Sequence, residues 1–136
     1  MSIGKSFRAW LLSVPAITAA VGNRIHENAA PETYAGPYIW FARATTDDDE
    51  ALTDAAGTRP FRELFDVEIH AKELEDVETI AELLRDRHCH RGTMGSGTAQ
   101  AVFVRDHKGD YEQRGIASDE QLHGGAFEFV ITGYSE

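Results

Sequence analysis

Phe61, Phe65, Val67 and Ile69 alternate with Arg62, Asp66, Glu68 and His70, and within a few residues the pattern changes to that of an amphipathic helix. The first period marks a strand with one buried face, and Leu64 is the lone apolar residue on its other face. The second period places Val77, Ile80, Ala81, Leu84 and His88 on one helical face. Glu75, Asp76 and Glu78 stand at the start of that helix, with Arg85, Arg87 and Arg91 at its end, the order that suits a helix dipole. A strand running directly into such a helix requires a sheet on which the helix can bury its stripe.

The flanking segments supply the rest of that sheet. Ile3, Phe7, Trp10, Leu11 and Val14 form a first helical stripe, Pro15 restarts the helix, and Gly22 is placed to cap its last turn. A short strand is expected around Arg24 to His26, and Tyr38 to Ala42, apolar on both faces, reads as a central strand covered on both sides. The polar stretch Thr45 to Arg59 is expected to be a loop. Beyond the helix, the Gly-rich segment Gly92 to Thr98 reads as a flexible connection. A meander is expected after it: Ala99 to Arg105, a turn at Lys108-Gly109, a return over Tyr111 to Arg114, and a closing strand from Ala126 to Tyr134. The fold class is α+β. A mostly antiparallel sheet of about five or six strands is packed by one long helix (about 75–90) and an N-terminal helix (about 3–14). All 136 residues are expected to form a single domain. Trp10, Trp40, Phe65 and Phe129 belong to its core by this reading, and the thinly covered sheet points to contacts with further copies.

Composition narrows the function classes. The chain carries 13 basic and 23 acidic residues, a net charge of −10 that opposes gripping a nucleic-acid backbone. No apolar run is long enough for a membrane span, and the spaced apolar residues of MSIGKSFRAWLLSVPA are unlike a signal peptide, so residence in the cytoplasm is expected. With Cys89 as the one cysteine, neither a disulfide within the chain nor a four-Cys metal site is available.

The residues that invite a chemical reading are His88-Cys89-His90 with His70 and the acidic run Asp47-Asp48-Asp49-Glu50. Consecutive residues at a helix end project about 100° apart, which is poor for one tetrahedral ion. His88 is expected to finish the apolar stripe, Cys89 to pack and His90 to cap the helix. The acidic run lacks the spaced ligands and glycine of a calcium loop. Gly92 to Thr98 lacks the lysine of a phosphate loop and leads into a strand. No catalytic residue, cofactor or metal is therefore expected, and the chain reads as a non-enzyme. Leu64, Tyr111, Arg114 and Leu122 are candidate interface positions.

Taken in order, several segments resemble the tail-terminator, or tail-completion, family of long-tailed phages and prophages. They are Phe7-Arg8-Ala9-Trp10-Leu11-Leu12, Val14-Pro15-Ala16-Ile17-Thr18, Val21-Gly22-Asn23-Arg24-Ile25 and Gly36-Pro37-Tyr38-Ile39. Phe65 to Ala71 leading into the helix and Phe127-Glu128-Phe129-Val130-Ile131 complete the set. The resemblance implies a structural protein that forms a ring, typically a hexamer, on the end of the tail tube. There it ends polymerisation of the tail-tube protein and presents a surface to a head-completion protein, first in the host cytoplasm and then in the virion tail. DNA would pass through without specific binding, and Asp47, Asp48, Asp49 and Glu50 are candidates for the lumen or rim. The alternatives are a head–tail connector or neck component, or a small metal- or ligand-binding α+β protein using His70, His88, His90 and the acidic run Asp47 to Glu50.

Overall fold

The computed structural model describes residues 3–48, 61–106, 114–115 and 121–135. Helix α1 (Ile3–Leu12) and helix α2 (Pro15–Val21) precede a short strand β1 (Ile25–Glu27). Strands β2 (Tyr38–Asp48) and β3 (Phe61–Ala71) lead to helix α3 (Leu74–Arg85). After it come β4 (Gly92–Met94), β5 (Gly97–Ala99), β6 (Ala101–Asp106), β7 (Arg114–Gly115) and β8 (Gln121–Thr132). The main sheet runs β1-β2-β3-β8-β6, with β7 also paired to β8, and β4-β5 form a separate hairpin. The α+β class and an antiparallel-rich sheet with helices packed on it are as the sequence predicts. One pairing is parallel: β1 lies beside β2 with Ile25 opposite Ile39.

All three helices serve one face of the sheet. Phe65, Val67 and Ile69 of β3, Ile39 and Phe41 of β2, and Phe127, Phe129 and Ile131 of β8 point to that face and are buried. Phe7 of α1 stacks on Phe65 at 4.6 Å between ring centroids and meets Phe41 and Phe129 edge-on at 5.0 and 5.2 Å. One side chain thus ties α1 to the three central strands. Val77, Ile80, Ala81 and Leu84 bring α3 onto the same core. Gly22 caps α2 with a positive φ of 61°, its N–H donating to the Thr18 carbonyl.

Several local expectations are corrected. Strand β2 continues through Thr45 to Asp48, past a bulge between Arg43 and Thr45, because these residues pair with Leu64 to Phe61 of β3. The bulge places Arg43 beside Glu63, a buried carboxylate on the core face; Arg43 Nε donates to Glu63 Oε2 at 2.6 Å. That hydrogen bond, more than the burial opposing it, holds the Arg43 pKa above its ordinary value. Gly92 to Thr98 is no flexible connection: Gly92–Met94 and Gly97–Ala99 form the β4-β5 hairpin. Gly95 has φ of 59°, and a Cβ there would lie 2.5 Å from the Ser6 backbone, so the hairpin turn sits directly on α1. Helix α3 stops at Arg85, earlier than its charge pattern suggests. Strand β6 pairs with β8, and β8 begins at Gln121. The turn at Lys108-Gly109 and the proposed return at Tyr111 lie outside the described residues.

On the sheet's second face stand Tyr38, Trp40, Leu64, Ala126, Val130 and Phe103, together with the charged residues Asp66, Glu68, Arg105 and Glu128. No described helix covers it. Trp40 is accordingly half-buried rather than a core residue, and Phe103 is 41 % exposed.

Replacing Phe7 with alanine is expected to destabilise the fold by about 3–5 kcal/mol, the usual loss for a buried phenylalanine. Chemical denaturation measures it. A loss below about 1 kcal/mol would contradict the role given to this ring.

Candidate functional site

No cluster of three or more His, Cys, Asp or Glu able to hold a metal ion occurs among the described residues. The sequence candidates are dispersed. His70 lies on the sheet's second face, buried and stacked on Tyr38 at 5.3 Å, with Nε2 3.3 Å from Glu68 Oε1. Burial, then the nearby Glu68 and Tyr34, pushes the Tyr38 phenol above its ordinary pKa. His88, Cys89 and His90 follow the end of α3 and do separate things. His88 is exposed, not the end of the buried stripe, and Cys89 is exposed with φ of 67° rather than packed. His90 does not cap the helix; its Nε2 lies 2.9 Å from the Thr93 carbonyl oxygen and its ring packs on Trp10 at 4.7 Å.

This segment guards a sheet edge. Along the free side of β6, Cys89 N–H donates to the Val102 carbonyl, Val102 N–H to the His90 carbonyl, and Val104 N–H to His88 Nδ1 at 3.0 Å. The opposite edge is treated similarly, since Arg8 donates to the Ile25 and Asn23 carbonyls from α1. Several backbone groups at these edges that could template another strand are therefore engaged within the chain. The sequence offered an apolar-stripe role for His88; its service as an acceptor for the β6 edge depends on a contact sixteen residues away and has no local signature.

Of the proposed interface positions, Leu64 is half-buried on the sheet's second face. Leu122 is buried, 1 % exposed, and by register lies on the same face. Arg114 lies in β7, paired with Leu122, while Tyr111 is outside the described residues. Asp47 and Asp48 belong to β2, opposite Arg62 and Phe61, and Asp49 and Glu50 are outside the described residues.

One concavity among the described residues is not suggested by the sequence. A groove of about 550 Å³ is lined by Ala9, Trp10, Val14 and Pro15 on one side and by Arg87, His90 and Thr93 on the other. Its wall is apolar, and Arg87 Nε is buried there without a hydrogen-bond partner among the described residues. The groove exists because the post-helix turn and the β4-β5 hairpin stand beside the α1–α2 corner. The sequence gives no signal for that meeting.

Removing the edge acceptor by His88→Ala is expected to leave stability within about 1 kcal/mol, since the exposed Val104 N–H can turn to water. It should raise association with protein concentration, and unchanged light scattering would refute the guarding role. A second expectation concerns His26 of β1. Burial, then Arg8 and Arg24, lowers its pKa below 6.5, so the native state disfavours the proton that the unfolded chain accepts. The stability this preserves is complete above pH 6.5 and is lost as pH falls from there through the folded pKa. Thermal melts over this window should show a shallower slope for His26→Gln; an identical slope would exclude the effect.

No protein-family model matches the chain, and neither does any curated protein. Solved structures do match in fold. A chain from the virion of a native gene transfer agent particle superposes with a TM-score of 0.57 at 15 % identity, covering 97 % of this chain and 98 % of that one. A second solved chain superposes with a TM-score of 0.53 at 13 % identity, over 100 % of this chain and 99 % of its own. The described architecture is thus shared from end to end with a component of a gene transfer agent virion.

Proposed function

We propose that this chain is a structural protein of a phage or phage-like tail, and that it caps the tail tube as a ring of copies. The observation that carries the reading is the end-to-end match to a gene transfer agent virion component, a phage-like particle. Fold alone does not assign function, and the ordered segments that resemble tail terminators supply the more specific part.

Physical features of the chain agree with that role. With the helices on one side, the sheet's second face presents exposed Phe103, Asp66 and Arg105 to a neighbour, while Tyr38, His70 and Val130 on it are buried. Edge strands engaged within the chain favour assembly through faces and side chains over indefinite strand addition. A net charge of −10 per copy repels phosphate, so a ring could surround DNA without retaining it. In this proposal the chain is no enzyme. It contacts the tail-tube protein below, a head-completion protein above and its own copies at the sides.

Polymerising tail-tube protein in the presence of equimolar chain is expected to give tubes of limited length, with a ring at one end in electron micrographs. Particles made without the chain should carry overlong tubes or tails lacking heads. Tubes of unaltered length with no end-bound protein would overturn the reading.

A further inference from the structure

We propose that His88 is a proton-operated latch on the edge of β6: its protonation releases the Val104 N–H and opens that edge to a second copy. The inference goes beyond the tail reading and does not rest on it. Val104 N–H donates to His88 Nδ1 at 3.0 Å, so in the latched state that nitrogen offers its lone pair and the ring proton sits on Nε2. An imidazolium carries a proton on both nitrogens and accepts nothing. Nδ1 therefore cannot hold the Val104 hydrogen bond and a second ring proton at once. His88 is exposed, so water delivers that proton without any opening of the fold.

The surroundings leave this hydrogen bond to the proton alone. The ring meets Phe103 edge-on, with 5.9 Å between centroids, and finds no polar partner in it. The charged and titratable neighbours are Arg85 and Asp86 from the end of α3, and Arg87, Cys89 and His90 from the same turn. Strands β6 and β8 add Arg105, Asp106 and Glu128. Asp106 is engaged by Arg85 at 3.1 Å and Glu128 by Arg105 at 3.5 Å, while Asp86 is exposed. His90 is turned away, toward Trp10 and Thr93. Among the described residues no carboxylate pairs with His88, so a protonated ring gains no ion pair that would keep it seated.

The rest of the edge shows what the latch controls. Val102 is held on the same side by the Cys89 N–H and the His90 carbonyl, backbone contacts that this proton does not alter. Protonation of His88 therefore frees β6 from Val104 onward. At the opposite margin of the sheet, Arg8 donates to the Ile25 and Asn23 carbonyls through a guanidinium that keeps its charge. Of these two guarded edges, only β6 responds to pH. The same edge opens on every copy, so two copies pair β6 against β6, antiparallel about a two-fold axis. Such a contact is closed and stops at a dimer.

The test compares the full chain with His88→Asn and His88→Ala. The asparagine Oδ1 stands where Nδ1 stood and accepts without titrating, whereas alanine accepts at no pH. Circular dichroism at each pH confirms that all three are folded. In NMR spectra of the wild type, the Val104 amide should shift and lose its protection factor as pH falls through the range where imidazoles titrate, about 8 to 5. In His88→Asn both should stay constant. Sedimentation at about pH 7.5 and about pH 5.5 then measures pairing. The net charge of −10 shrinks with acid in all three chains alike, so the difference between them is what is read. At the lower pH the wild type should pair roughly tenfold more tightly than His88→Asn, the worth of about one released backbone hydrogen bond per copy. At the higher pH these two should agree, and His88→Ala should exceed both. A Val104 amide indifferent to the titration of His88 overturns the proposal, as does equal association of the wild type and His88→Asn at the lower pH.

Discussion

Phe7 is the point on which the architecture turns. It meets Phe41, Phe65 and Phe129, one ring from each of the three central strands, and Trp10 follows one helical turn later. Aromatic pairs in offset and edge-on geometry add to the burial of their surfaces. Through Phe7 the position of α1 is set relative to the sheet. The position of α1 in turn sets where Ser6 receives the Gly95 turn and where Trp10 receives His90. The groove, the β4-β5 hairpin and the guarded edge of β6 all depend on that docking.

Polar groups then decide what the domain can do with its surfaces. Buried Glu63 would be costly alone, and the bulge that brings Arg43 within reach makes its burial tolerable. At the sheet edges, Arg8 and His88 occupy backbone groups that would otherwise recruit another strand. The same folding unit therefore discourages strand addition at those groups while leaving Phe103, Asp66 and Arg105 of the second sheet face exposed.

What was legible in the sequence was whatever repeats at the period of a strand or a helix. Phe65, Val67 and Ile69 announced β3, and Val77 to Leu84 announced α3, since burial on one face imposes those spacings. Thr45 to Asp48 were misread as loop because their strand is held by pairing with β3 and has little apolar content of its own. Gly92 to Ala99 looked flexible for a related reason: glycine there permits close approach to α1, and only the tertiary neighbour reveals it. Trp40 shows the opposite error. Its apolar character implied burial, but the helices all lie across the sheet from it. The candidate site was least legible, because Trp10, Arg87 and Thr93 come from three separate stretches and share no motif.

The order of strands also has a temporal consequence. Strand β8 lies between β3 and β6, although its residues 121–132 follow every other strand in the chain. During synthesis β6 emerges with no partner in the main sheet, and Phe7 lacks one of its three strand contacts until Phe129 arrives. Long-range pairings of this kind are slow to form. A nascent or truncated chain lacking residues 121–132 would hold neither a closed core nor a seated β6.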